Sequence, residues 1–362
     1  MRQTEIEMNA SLDLGNRDVL TALDPLGMLA LIEDFPDQCR RAYAIASAAE
    51  IPSLNFDPAF AVLSGMGGSA AGGDFVKAVF EAEGTIPFQV IRDYDVPNAV
   101  GPNTVVFIAS YSGNTEETLS AYEQATERGA HIIVVSSGGK ISELAQQRNQ
   151  TLITVPGGQP PRSALGYMLI PVLVACEKLG LIPAQPYESA FALLDKVTAD
   201  LGPDAPDNEA MALANKFHGK IGLCYGLGGY RGYIANRWRC QFNENAKYLL
   251  FANSYPELCH NEIVGWVEAK QQADAFFGVV LQDGTEPERM RVRAKVTGDV
   301  IGADVATFAP VHARGEALLE RMLTLTFIGD WVSIYLARLN GADPTQIANI
   351  DTLKTELAKL GA

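Results

Sequence analysis

The hydrophobic pattern of this chain changes period several times, and each change marks an element. Up to about residue 50 the apolar positions recur with helical spacing, as in Met28, Leu31, Ile32 and Phe35, so residues 1–50 read as a helical lead-in. From Phe60 the pattern turns into short, mostly apolar runs at 61–64, 88–92, 104–109, 131–135 and 152–155. Runs that are β-branched and apolar without alternation predict strands buried on both faces, as in a parallel sheet. Between them, 70–82, 116–128 and 141–147 carry the helical period. Strands that alternate with helices at this spacing predict a doubly wound α/β domain.

The same order then starts again. After a proline- and glycine-rich loop at 156–162, the second proline of its Pro160-Pro161 pair is placed to start a helix to residue 179, and another follows over 187–201. Gly202-Pro203-Asp204-Ala205-Pro206-Asp207 reads as a linker. Beyond it come a strand at 221–225, a glycine turn Gly226-Leu227-Gly228-Gly229 and a helix from Tyr230, repeating the order of 61–82. A strand at 275–281, a long helix over 315–339 and a last amphipathic helix with Ile350, Leu353, Leu357 and Leu360 on one face complete the second unit. The expected fold class is α/β, with two doubly wound domains at 51–201 and 210–362 whose parallel sheets are flanked by helices.

Composition narrows the partners. The 362 residues are 48% hydrophobic, enough for two cores, and the formal net charge is −15. An acidic chain without a basic cluster repels nucleic acid. Residues 1–10 carry no signal segment, and the longest apolar stretch, near 167–176, contains Pro171 and runs into Glu177-Lys178, so no membrane association is expected. Five cysteines without a C-x-x-C pair suit reduced thiols in a cytoplasm. The four histidines include no two at metal-ligand spacing, so no metal and no other cofactor is expected.

The first candidate site is Ser110-Tyr111-Ser112-Gly113-Asn114-Thr115-Glu116-Glu117-Thr118, where a buried run opens into a helix. Free N–H groups, the positive end of the helix dipole and the hydroxyls of Ser110, Ser112, Thr115 and Thr118 suit a phosphate monoester. The simpler alternative is that Asn114 caps the helix, with Glu117 closing a capping box. Glu116 and Glu117 are expected on the helix face turned away from an anion. A second cradle is Gly65-Met66-Gly67-Gly68-Ser69. Gly65, Gly67 and Ala70 also satisfy a dinucleotide pattern, with Asp93 near the place of a ribose-binding acid, but the added hydroxyls of Ser69 and the Ser110 turn exceed what a pyrophosphate needs. Glu244, on the flank of the stripe Ile234, Trp238, Phe242, Ala246 and Leu249, reads most simply as a solvated acid paired with Lys247. His260 and Lys354 likewise have ordinary surface readings.

Taken together, several segments resemble the bifunctional phosphoglucose/phosphomannose isomerases of the sugar isomerase (SIS) superfamily. They are Gly65-Met66-Gly67-Gly68-Ser69 with Gly72-Gly73-Asp74, the 110–118 turn, Pro161-Arg162 with Ala164-Leu165-Gly166-Tyr167, Asn243-Glu244-Asn245-Ala246-Lys247, and His260-Asn261-Glu262. Even the lead-in Asp24-Pro25-Leu26-Gly27-Met28 fits, while Ala71 and Ser163 depart from the pattern without touching the chemistry. The resemblance implies two SIS domains with an isomerase site between them. It places a sugar phosphate on Gly67, Gly68, Ser69, Ser110, Ser112 and Thr115. It makes Glu244 the base that moves a proton between carbon 2 and carbon 1, and Arg162 the cation beside the cis-enediol(ate) oxygen. His260 and Lys354 open the sugar ring, and the histidine comes from the neighbouring subunit of a homodimer. Two other readings stay open at this stage: a non-catalytic SIS-type sugar-phosphate-binding regulator, and an aminosugar-phosphate isomerase.

Overall fold

In a computed structural model the protein is described over residues 12–302 and 307–359. The first eleven positions of the expected lead-in, and Leu360 of the last apolar stripe, lie outside the described residues. Two parallel sheets organise the chain. The first has the strand order β2-β1-β3-β4-β5, with β1 Phe60–Ser64, β2 Phe88–Ile91, β3 Thr104–Ser110, β4 His131–Ser136 and β5 Thr151–Thr154. The second has the order β7-β6-β8-β9, with β6 Ile221–Gly226, β7 Leu250–Ser254, β8 Phe276–Gln282 and β9 Thr307–His312. Every strand pair in both sheets is parallel.

The unbroken apolar runs sit where two-sided burial demands them. All seven residues of β3 are buried, and Val62, Val106, Ile108, Val134 and Ile141 join Tyr122 in one core on a face of the first sheet. Each such side chain contributes about 1.5–3 kcal/mol of transfer free energy, so the central strands are the costliest to disturb. In the second sheet Leu223, Tyr225, Leu258, Trp266 and Ile301 form a comparable core.

Helix boundaries depart from the sequence pattern at informative places. The first helix after β1 is Gly67–Glu83, so the helix begins inside the glycine turn and not after it. Pro161 does not start the next helix directly. It opens a 3-10 turn, Pro161–Ser163, and the α-helix runs Leu165–Lys178, because the turn ends in the non-helical geometry of Ala164. The repeat in the second half extends further than the apolar pattern revealed, since β7, β9 and the helices Glu209–Phe217 and Glu288–Gly302 belong to it. Asn208 caps Glu209–Phe217 by accepting from the Met211 N–H.

The chain divides into two compact units. One, holding the first sheet, comprises Asp34–Asp195 with Arg314–Leu323, and the other, holding the second sheet, takes the remaining described residues. The helix Leu318–Leu339 is long and apolar enough, by length and composition alone, to cross a membrane, and 94% of its apolar window is buried inside the protein. The last helix, Ala348–Ala358, shows Ile350, Leu353 and Leu357 to solvent.

Candidate active site

At the carboxyl ends of β1 and β3 the first unit places two turns side by side, the position where open α/β sheets receive ligands. Ser69 is buried, and its hydroxyl joins the turns, accepting from the Tyr111 N–H at 3.2 Å and donating to Met168 Sδ at 3.3 Å. Ser110 Oγ donates to Thr115 Oγ1 at 3.1 Å and accepts from the Gly113 N–H at 3.2 Å. Ser112 is exposed, and its hydroxyl accepts from the Asn114 N–H at 3.4 Å. Gly113 is held at φ +73°, and a Cβ there would lie 1.7 Å from the Gly138 carbonyl oxygen, so only glycine lets the two neighbouring loops close.

The simple capping reading of this turn is not what the structure holds. The N-cap of helix Glu116–Glu127 is Thr115, whose side chain makes no cap bond. Asn114 instead turns its carboxamide oxygen to the Lys140 N–H at 2.9 Å, on the following loop. The helix N-terminus therefore keeps its positive dipole end without a side-chain cap. Thr118 is buried and does not offer its hydroxyl to solvent. Glu116 accepts from the Tyr94 hydroxyl at 3.3 Å. Asp93 is exposed and binds the Tyr94 N–H at 2.7 Å, closing a local turn.

Gly68 fixes the third part of this arrangement. A Cβ there would meet the Pro161 carbonyl oxygen at 2.6 Å and Arg162 Cα at 3.3 Å, so the glycine turn lies directly against the turn that carries Arg162. Gly67, beside it, is exposed, while Arg162 is only 2% exposed. The Arg162 turn is also bonded by Gln38 from helix Phe35–Ala48, a residue the motif reading passed over. The signal was present: Gln38 continues the apolar stripe of Ile32 and Phe35 at helical spacing, as a polar residue in a buried position.

The remaining candidates belong to the second unit. Glu244 lies in helix Tyr230–Asn245, whose Ile234, Trp238 and Phe242 are fully buried together with the C-cap Ala246, whereas Leu249, expected on the same stripe, lies beyond the helix and is exposed. Three polar bonds tie that helix to Leu318–Leu339: the Trp238 indole N–H to the Leu325 carbonyl at 3.0 Å, the Gln241 amide to Asp330 at 2.6 Å, and the Asn245 amide to Ser333 at 3.0 Å. Burial pushes the Asp330 carboxyl up, against the pull of Arg237 and Gln241. Half-buried Glu244 lines a cavity of about 310 Å³ with Asn243, Lys247 and residues 346–350. The Lys247 ammonium bonds the Glu244 carbonyl oxygen at 2.9 Å and also the Asp343 carbonyl.

Lys354 is exposed on helix Ala348–Ala358, whose first residues line the same cavity. His260 is exposed at the end of the 3-10 turn Glu257–His260 and is not among the residues lining that cavity. Beside it, Glu262 accepts from the Asn253 amide at 2.6 Å and from the Tyr225 hydroxyl. Among the described residues no group of three or more His, Cys, Asp or Glu side chains is arranged to hold a metal ion.

The second sheet also ends in a glycine turn, at Gly228 and Gly229, but a charged network fills it. Arg231, its side chain 8% exposed, forms ion pairs with Asp283 and, across 2.9 Å from its Nε, with Glu286, and a terminal guanidinium nitrogen donates to the Thr285 hydroxyl at 2.8 Å. Glu286 also accepts from the Asp283 and Gly284 N–H groups at 2.6 and 3.0 Å. Burial opposes the Asp283 charge, yet the bonds from Tyr230, Arg231 and Thr285 outweigh it and hold that carboxyl well below the usual carboxylate range.

Comparison with known proteins finds a family match in each half of the chain. Residues 60–175 match the SIS domain family, and residues 206–357 match the bacterial phospho-glucose isomerase C-terminal SIS domain. A bifunctional phosphoglucose/phosphomannose isomerase of Caldicellulosiruptor bescii is 38% identical over 92% of this chain and 99% of its own length. One of the same name from Thermoplasma acidophilum is 36% identical over 82% of this chain and 89% of its own. A hypothetical protein from Thermus thermophilus superposes with a TM-score of 0.75, covering 100% of this chain and 97% of its own at 15% identity, a likeness of fold. With paired parallel sheets and near-full-length identity of this degree, the chain belongs to the bifunctional phosphoglucose/phosphomannose isomerase family.

Proposed function

We propose that this chain is an aldose–ketose isomerase that interconverts glucose 6-phosphate and mannose 6-phosphate with fructose 6-phosphate through a cis-enediol intermediate. Family membership over nearly the whole chain is the observation that carries the reading. The paired turns at Ser69 and Ser110 support it, because they supply hydroxyls and an uncapped helix N-terminus of the kind a phosphate monoester takes.

In this reading Gly67, Gly68, Ser69, Ser110, Ser112 and Thr115 hold the phosphate. Anchoring there, away from the reacting carbons, directs binding energy into orientation. Glu244 takes the proton from carbon 2 of the aldose and returns it at carbon 1, a task suited to a carboxylate beside a carbonyl. Arg162 faces the oxygen that gains charge in the enediolate, where a fixed cation in a buried setting is most effective. Its burial supports that role. His260 and Lys354 move the protons that open the ring. Because the enediol is planar at carbon 2, one site can return the proton to either face and so serve both aldoses.

The active form in this reading is a homodimer in which each subunit gives His260 to its neighbour. The exposure of His260 and the exposed apolar stripe of Ile350, Leu353 and Leu357 support that assembly. The two SIS domains are assigned to 51–201 and 210–362, and the protein to the cytoplasm.

The test uses purified protein and fructose 6-phosphate in deuterated water. Glucose and mannose 6-phosphates labelled at carbon 2 are expected, and Glu244→Gln lowers turnover by about a hundredfold or more. No turnover to either aldose phosphate, or full activity in Glu244→Gln, overturns the reading.

A further inference from the structure

We propose that Gln38 is a positioning residue for Arg162, acting through the two ends of the turn that carries it. The proposal rests on the reading that Arg162 stabilises the enediolate oxygen. Gln38 is fully buried in helix Phe35–Ala48. Its amide Nε2 donates to the Ser163 carbonyl at 2.8 Å, and its Oε1 accepts from the Gly166 N–H at 2.8 Å. One side chain thus bonds the residue just after Arg162 and the second residue of the helix that follows. Those two groups stand at the junction where a 3-10 turn passes into an α-helix, a place where the regular i to i+4 ladder is interrupted and backbone groups need outside partners.

The same turn is also pressed against Gly68 at Pro161 and Arg162, leaving no room for even a methyl group. The backbone on either side of Arg162 is therefore held by two contacts, packing of Pro161 and Arg162 on the glycine turn and the bonds of Gln38 to Ser163 and Gly166. Only the glycine side of this support belongs to the phosphate cradle. The Gln38 side touches no group assigned to substrate, so its removal should move the cation relative to the reacting carbons while the phosphate turns keep their own bonds. A displacement near 1 Å at an oriented group can cost about a hundredfold in rate.

The test is a double-variant cycle on the full-length protein, with fructose 6-phosphate turnover and thermal unfolding measured together. Gln38→Met, similar in volume and without hydrogen-bonding capacity, is expected to lower kcat about thirtyfold and to leave KM within about threefold. Arg162→Met is expected to lower kcat about a hundredfold or more. In the double variant the Gln38 change is expected to add less than about threefold, because the group it positions has gone. Gln38→Asn keeps an amide at lower packing cost but cannot span both partners. It is expected to fold as the parent does and to lose about fivefold in kcat, which keeps the question answerable if Gln38→Met does not fold.

If Arg162→Met impairs turnover while both Gln38 variants retain kcat within twofold, this proposal fails and the isomerase reading stands. The same holds if the Gln38 and Arg162 losses simply multiply. If Arg162→Met leaves kcat unchanged, the arginine's role and the positioning role fall together.

Discussion

After β3 the chain leaves the first sheet through Ser110, Ser112 and Thr115, whereas after β8, the strand in the equivalent place, it leaves the second through Asp283 and Glu286. Both turns stand beside a glycine turn that opens a helix, and both helices present a positive N-terminal end. In the first unit that end faces neutral hydroxyls. In the second it faces carboxylates of the same chain, with Arg231 between them. The same winding thus leaves the turn of one sheet lined by hydroxyls and fills that of the other with its own carboxylates. The lesson is that repetition of a fold does not repeat a site, because the two or three residues after a strand decide which charge the turn accepts.

The largest expected effect comes from making the first turn resemble the second. Ser112→Asp adds a carboxylate at an exposed position, so the fold should persist while KM for fructose 6-phosphate rises about a hundredfold through repulsion of the phosphate. An unchanged KM would remove this turn from the phosphate site. Next is the reverse change. Asp283→Asn leaves buried Arg231 short of a partner and should cost about 3 kcal/mol in denaturant unfolding, with KM unaltered.

The pH dependence follows from the same group. The folded state holds Asp283 ionised below its ordinary range, so its contribution is present above the unfolded pKa and is lost as pH falls through the folded one. Stability of the parent should fall below about pH 4 more steeply than that of Asp283→Asn. A parallel acid limb in the two proteins would contradict the assignment. The smallest effect is expected for Asn114→Ala. It removes one bond to the Lys140 N–H and should cost about 1 kcal/mol, whereas a true helix cap would also lower the helix content seen by circular dichroism.

Most of the fold was legible because two-sided burial forces unbroken apolar runs, and β1, β3, β4 and β6 have them. The strand β7 was not, since Phe251 is exposed and Asn253 is committed to Glu262, which breaks the apolar run. Of the candidate site, the sequence showed the small and hydroxyl residues of two turns, and the structure places those turns side by side. What could not be read was which bonds those hydroxyls already make, because Ser69, Tyr111 and Met168 are far apart in sequence and meet only in the folded unit. The self-satisfied turn at Asp283 escaped notice for a similar reason: each of its charges looks like an ordinary surface residue until burial joins them.

The contact between Ser69 and Met168 has a further consequence. A thioether is a weak acceptor, so the Ser69 hydrogen rests on a partner that holds it loosely while the oxygen stays fixed by the Tyr111 N–H. A carbonyl in the place of that sulfur would hold the hydrogen against an arriving anion; the sulfur gives it up by a simple rotation of the hydroxyl. In the proposed phosphate site the moving part at Ser69 is then a single hydroxyl proton, free to leave the sulfur for a charged neighbour.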